Sequence, residues 1–318
     1  MRFKILFLAL CVAAALLGCS DITGKYYLRN EKYAQGVKAF EKAHHDNPND
    51  PAANYYLGRF YLAQEKGQQA IPLLRRATEL EPDRANYYFW LGVAYWTVMD
   101  FDAERKSYLR ALELDKNHLP ARVYLAHNLL DKGERKEALT QYDEVLEKNP
   151  YNPEALYNKG LALKQLNRPT QEIQAWKKYL EYYPDGKWAL RAVDHLNGLG
   201  DFSYRNFTIG HRRVPLKEIA FAPDSARLLS SGRTSLEVIG SILNTNQEIE
   251  LRIVGYKKDD AALASARARA VRDYLLKNFL AIQPSQLQYQ GESHSEKIKT
   301  SKKVYSLDES ISFVTTKK

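Results

Sequence analysis

The chain has two cysteines, Cys11 and Cys19, and none in the 299 positions that follow. No disulfide can form within that remainder, and no thiol can ligate a metal there. Methionine is equally scarce, at two residues. Beyond the run Ile5–Leu17 there is no long apolar stretch, and a spanning helix needs about 20 such residues. A glycine-rich phosphate loop, His-Glu-x-x-His and Gly-x-Ser-x-Gly are all missing. The seven histidines are scattered, and His44-His45 are neighbours that point apart on a helix. We therefore expect neither an enzyme nor a metal or cofactor site. The chain is rich in hydrophobic residues (45%), which excludes a disordered tail.

Charge is unevenly spread. Residues 201–318 carry 19 basic and 13 acidic side chains, net +6, while residues 19–200 carry 26 and 25, net +1. The basic character of the last third suggests an anionic partner such as a wall polymer, a lipid headgroup or an acidic protein. No nucleic-acid-binding motif accompanies it, so nucleic acid is not expected.

The start reads as a processing signal. Arg2 and Lys4 precede thirteen apolar residues, and Leu16-Leu17-Gly18-Cys19 follows. This resembles the lipobox of bacterial lipoproteins. The resemblance implies cleavage before Cys19 and acylation of its thiol and new amino group. Residues 1–18 would then be removed, and lipid would hold the chain, each buried CH₂ contributing about 0.8 kcal/mol. Ser20 after the cysteine implies the periplasmic face of the outer membrane.

A period of thirty-four residues follows. Pro48, Pro82, Pro150 and Pro184 share one lattice, with Lys116 at the vacant node. Gly24, Gly58, Gly92, Ala126 and Gly160 share another, and Phe40, Leu74, Tyr108, Tyr142 and Trp176 a third. The pattern resembles the tetratricopeptide repeat (TPR) and covers roughly residues 20–197. It implies five helical hairpins stacked into an all-α solenoid, since a single hairpin cannot bury its own apolar face. Small residues would sit where helices cross closely. Pro72 and Pro169 are expected in the first turn of a second helix. Lys187–Asn197, with Trp188, Leu190, Val193 and Leu196 at helical spacing, is expected to close the array.

The resemblance implies a concave surface lined by the first helix of each hairpin. Carried onto this chain, it includes Tyr55, Phe89 and Tyr157, then Arg59 and His127, then Trp96. These are the candidate residues for holding a protein partner, because rigid aromatics give contact area at low entropic cost. The Asn and Lys pairing of chaperone-binding repeats is not matched.

After Gly200 the period disappears. Strands are expected at 216–221, 248–255, 286–290 and 310–315, and helices at 232–243 and 261–279. The order β-α-β-α-β-β is that of a small α+β domain over residues 201–318, following the solenoid at 19–200. Ile219-Ala220-Phe221, Ile253-Val254-Gly255 and the run Arg267-Ala268-Arg269-Ala270-Val271 with Tyr274-Leu275 resemble the OmpA-like peptidoglycan-binding domain. In that family an aspartate and an arginine grip the ammonium and carboxylate of diaminopimelate. Arg267 matches the arginine, but Lys258 stands at the aspartate's place, leaving Asp259 or Asp260 as substitutes. The expected whole is a lipid-anchored envelope scaffold whose groove binds a protein. The alternative is a structural tether that binds peptidoglycan.

Overall fold

A computed structural model describes residues 20–300 and 303–317. The expected signal segment 1–18 and Cys19 lie outside the described residues. The chain divides into two compact units, Met1–Pro150 and Tyr151–Lys318.

In the first unit residues 20–29 are helical (α1). Then come α2 (Tyr33–Asp46), α3 (Pro51–Ala63), α4 (Gly67–Leu80), α5 (Ala85–Thr97), α6 (Phe101–Leu114), α7 (Leu119–Asp131) and α8 (Arg135–Lys148). Each helix from α2 to α7 packs on the next. Two of the first helices, α3 and α7, start on side-chain caps. Asp50 accepts from the Ala52 amide and His118 Nδ1 from the Ala121 amide, and each is followed within two residues by a proline. Phe40, Leu74, Tyr108 and Tyr142 are at most 2% exposed, so one lattice supplies the plug of every hairpin. The small-residue lattice seats those plugs. A Cβ added at Gly92 would lie 2.4 Å from the Tyr108 ring.

Pro72 departs from expectation. It stands in the second turn of α4, not the first. The missing N–H leaves the Gln68 carbonyl without its i+4 donor. Gln68 and Pro72 both face solvent, so that carbonyl is open to water and the helix continues. Pro169, by contrast, opens its helix as expected.

The turn inside each hairpin carries a feature invisible in the residue pattern. Glu31, Glu65, Met99, Gly133 and Asn167 all have positive φ, between 53° and 80°. They are spaced by thirty-four residues, yet one is glycine and one asparagine. Left-handed backbone costs an L side chain roughly 1–2 kcal/mol. Met99→Gly is therefore expected to raise stability by up to about 1 kcal/mol, after the added chain entropy of glycine is offset. Gly133→Ala should lower it by about 1 kcal/mol. Urea unfolding monitored at 222 nm would read both, and equal signs would contradict the assignment.

The second unit begins with α9 (Pro153–Gln165), α10 (Pro169–Tyr182) and α11 (Gly186–Gly198). Trp176 plugs this hairpin against Gly160 and donates its Nε1–H to Glu172 at 3.0 Å. The closing helix α11 buries Ala189, Ala192, Val193 and Leu196, while Trp188 is 43% exposed. The small alanines let α11 lie against the hairpin of β1 (Tyr204–Ile209) and β2 (Arg212–Lys217). Asn206 Nδ2 donates to the Leu190 carbonyl at 2.9 Å, and Asn197 Nδ2 to the Tyr204 carbonyl at 2.8 Å.

The mixed part continues with α12 (Arg233–Thr245), β3 (Glu250–Lys257), α13 (Ala261–Asn278), β4 (Leu287–Glu292), β5 (Glu296–Lys299), β6 (Val304–Leu307) and β7 (Glu309–Lys317). The two expected helices and the three later strands are present, with β1 and the β5–β6 hairpin in addition, but the strand expected at 216–221 lies instead at Arg212–Lys217, because its pairing with β1 ends at Lys217 opposite Tyr204. The central strand β3 runs parallel to β4 and antiparallel to β7. Ile249, Leu251 and Ile253 share one core with Val271 and Leu275 of α13, as their alternation and helical spacing require. Gly255 and Gly291 are register partners under α13, and a Cβ at Gly255 would lie 2.1 Å from the Ala264 carbonyl oxygen. Backbone meets backbone there, which brings the α13 residue Arg267 down onto the sheet.

Candidate functional site

In the first unit the expected groove residues separate into two groups. Tyr55 and Phe89 are buried, at 3% and 6% exposure. Tyr55 stacks on Tyr87 with centroids 4.6 Å apart, and Phe89 packs among Trp90, Tyr108, His118 and Tyr124. These rings form the wall behind the groove rather than its open face. Their apolar character and helical spacing could not separate the two positions.

The residues that reach solvent are others. Trp96 is 52% exposed, although it shares a lattice row with Leu62 and the nearly buried Leu130. Arg59 and Val93 are partly exposed. The Arg59 guanidinium lies over the Trp90 ring at 3.9 Å, and its Nη1 donates to the Tyr55 hydroxyl at 3.2 Å. A cavity of about 470 Å³ opens beside them, lined by Asp21, Lys25, Tyr55, Arg59, Glu81, Arg84 and Asn86 among others. Burial raises the Tyr55 phenol above its ordinary range, partly offset by Arg59, so it stays protonated.

His127 is partly buried between Tyr124 and Tyr142, and burial pushes its pKa down to about 4. It is neutral at pH 7 and supplies no charge to the groove. The folded value lies below the ordinary 6.5, so the unfolded chain binds more protons between these limits. Stability contributed here is complete above pH 6.5 and is lost as pH falls through about 4. The expected loss is about 3 kcal/mol. His127→Phe should flatten the pH dependence of urea unfolding in that window, and an unchanged slope would remove the assignment.

In the second unit Tyr157 is 7% exposed, among Trp176, Tyr179 and Trp188. It too belongs to the packing.

Also in the second unit, Arg267 is 6% exposed. Its Nε donates to the Ser225 carbonyl at 3.0 Å, its Nη1 to Glu309 Oε2 at 2.9 Å, and the guanidinium lies over Phe221 at 5.1 Å. Lys257 Nζ donates to the same Glu309 oxygen at 2.9 Å. These two cations hold the Glu309 carboxyl below the usual range. A cavity of about 90 Å³ adjoins, lined by Glu218, Ile219, Ala220, Phe221, Arg267, Glu309 and Ser310. Glu218 reaches solvent, and its carboxyl is raised by desolvation, then by the nearby negative charges of Glu309 and Asp201.

Asp259 and Asp260 are not brought to this cavity. Asp260 is the N-cap of α13, and its Oδ1 accepts from the Leu263 amide at 2.8 Å. Asp259 is exposed on a left-handed turn, with φ of 63°. The acids that do reach Arg267's surroundings, Glu218 and Glu309, come from segments far away in sequence. No local motif marks them.

Comparison with known proteins agrees with this architecture. Tetratricopeptide repeat models match residues 27–88, 61–118 and 125–187, and the OmpA family model matches 220–305. BBSome complex member BBS4 of Mus musculus is 29% identical over 125 residues, and its Bos taurus counterpart 27%. These matches span 39% of this chain and 24% of each relative, so the chain covers about a quarter of the length of those proteins. Among solved structures, Pseudomonas aeruginosa pilF shares the fold with a TM-score of 0.52 at 14% identity, over 58% of this chain and 82% of that one. A crystal structure of MamA gives 0.47 at 23% identity, over 50% of this chain and 93% of the other.

Proposed function

Given that the chain carries tetratricopeptide repeats over residues 27–187 and an OmpA-family domain over 220–305, we propose that it is a lipid-anchored envelope scaffold whose helical groove holds a protein partner. TPR repeats suggest protein–protein interaction, and an OmpA domain suggests peptidoglycan binding. Cys19 is the anchor in this reading, and the periplasmic face of the outer membrane is where it acts. No helix among the described residues is long and apolar enough to cross a membrane. The observation that carries the reading is Trp96, a large aromatic 52% exposed on a first helix and set beside the partly exposed Val93. Leaving such a ring wet forgoes about 2 kcal/mol of burial, which a partner would recover.

Two measurements test it. Mass spectrometry of the mature amino terminus should find acylated Cys19, and Cys19→Ala should release the chain from membranes. Cross-linking and co-purification should lose its partner in Trp96→Ala with the fold retained. A partner set identical to that of the unaltered chain would count against the groove.

A second reading, contact with the wall, is favoured by Arg267 and its cavity. The acid expected at Lys258 is missing, and Glu218 is the acid on that cavity that an ammonium would meet. Glu309 already occupies part of the Arg267 guanidinium. Sedimentation with purified sacculi, for the full chain and for Arg267→Ala, decides this. Equal sedimentation of the two would separate Arg267 from any wall contact.

A further inference from the structure

Helix α1 packs inward through Gly24, Tyr27 and Leu28. A Cβ at Gly24 would lie 2.3 Å from the Tyr56 ring, and Tyr27 meets Phe60 edge-on with centroids 6.3 Å apart. Its other face is open to solvent. Ile22 is 72% and Tyr26 50% exposed, and Lys25 and Arg29 are exposed beside them. Spacings of three and four residues put these four side chains on one stripe.

The repeat shows what that stripe lacks. Tyr56 stands thirty-four residues after Ile22 and is 2% exposed. Phe60, Ala94 and Asn128 follow Tyr26 on its lattice row and are at most 1% exposed. A preceding hairpin buries these positions. Phe40 of α2 packs on both Tyr56 and Phe60, and Phe101 and Glu104 of α6 bond to Asn128. No hairpin precedes α1 among the described residues, so Ile22 and Tyr26 are interior positions left wet. The end of a solenoid needs a polar outer face, and this one has an apolar centre.

Two observations select what covers it. In the anchor reading Cys19 carries the lipid, and Ile22 is three residues further on. Three extended residues reach at most about 11 Å, so Ile22 stays beside the bilayer surface. The stripe is also rimmed by cations. Arg29 and Lys32 have no carboxylate partner among the described residues, and Lys32 Nζ donates to the Tyr26 hydroxyl at 2.8 Å. An aliphatic and a tyrosine ringed by Lys and Arg suit the headgroup layer, where the basic groups meet lipid phosphates. A second copy of this face laid on the first would bring like charges together. We propose that the outer stripe of α1 lies in the headgroup layer of the bilayer that holds Cys19, so that the membrane caps the open end of the solenoid. This rests on the anchor reading above and names the part of the chain that meets lipid.

The scarcity of thiols supplies the test. Signal cleavage removes Cys11 and lipid occupies Cys19, so a cysteine introduced into the full mature chain is its sole free thiol. Ile22→Cys and Tyr26→Cys carry a nitroxide label, and the acylated chain is reconstituted in vesicles of phosphatidylethanolamine and phosphatidylglycerol. Power-saturation EPR reads collisions of the label with oxygen and with a water-soluble nickel chelate. Both labels should lose nickel collisions about fivefold relative to the unacylated Cys19→Ser chain in solution, and gain oxygen collisions. In the Tyr26→Asp/Arg29→Glu background, with an unchanged melting curve, the label at position 22 should return to aqueous values. Protection that survives there would mean that nearness to the anchor, not the stripe, shields the label, and would overturn the proposal. Dipolar broadening that vanishes on dilution with unlabelled chain would overturn it in favour of a second copy. Intact mass separates the two readings. An acylated chain with wet labels removes only the docking of α1, whereas an unacylated amino terminus removes the anchor as well.

Discussion

Glu296→Ala should destabilise the second unit by about 3–5 kcal/mol. Glu296 and Arg205 have side chains only 10% and 15% exposed. Two parallel bonds join them, Nη1 to Oε2 at 2.8 Å and Nη2 to Oε1 at 2.6 Å. The Ser310 and Ser312 hydroxyls donate to the same carboxylate at 2.6 and 2.8 Å. Glu296 on β5 therefore gathers β1 and β7 onto one group. Truncating it leaves a buried guanidinium without its counter-charge and two hydroxyls without their acceptor. The penalty comes mainly from that stranded charge. The double variant Arg205→Met/Glu296→Leu should consequently cost much less than the single one, because both charges leave together. Urea unfolding followed by near-UV circular dichroism reads this. A single-variant loss under about 1 kcal/mol would mean that solvent reaches Arg205.

Asn128→Ala should cost the first unit about 3 kcal/mol. Asn128 is 1% exposed on α7. Its amide donates to the Phe101 carbonyl and to Glu104 Oε2, both at 2.9 Å, and its Oδ1 accepts from Arg105 Nε at 2.9 Å. Arg105 continues to Glu134 with bonds of 2.7 and 3.1 Å. One asparagine thus satisfies three groups on α6: the Phe101 carbonyl, the buried Glu104 carboxyl and the partly buried Arg105 guanidinium. Glu104 is 2% exposed, and burial holds its carboxyl above the ordinary value of 4.5, with the Asn128 bond working in the opposite direction. A carboxyl whose folded pKa is raised loses stability as pH climbs through the window above 4.5, because the native state then holds the extra proton. Removing the Asn128 donor raises that pKa further. The cost of Asn128→Ala should therefore be larger at pH 7 than at pH 4. A cost independent of pH would show that Glu104 does not depend on Asn128.

Neither network was legible in the sequence. Asn128 occupies a lattice row otherwise filled by Tyr26, Phe60, Ala94 and Ala162, where spacing alone calls for an apolar residue. Arg205 and Glu296 stand ninety-one residues apart in strands that polar composition hid. The groove shows the same limit. Tyr55, Phe89 and Trp96 are all aromatic residues on first helices, yet two are buried and one is wet. Which of them a neighbouring hairpin covers depends on how the hairpins stack. Asp260 looked like a ligand acid by proximity to the vacant aspartate position, and the helix start claimed it as a cap.

Residue order alone determined the thirty-four-residue hairpin, its plugs and seats, the closing helix and the β-α-β-α order beyond it. All of these are set by contacts between residues a fixed, short distance apart, and such contacts leave a period. Tertiary structure alone decided which cation finds a carboxylate. Arg267 and Arg205 each meet one, and Arg59 meets none among the described residues. Charge pairing acts through space between distant segments and imprints no spacing on the chain. The same holds for the left-handed turns at Glu31, Glu65, Met99 and Asn167, where packing of the two flanking helices imposes a backbone that these side chains would not choose.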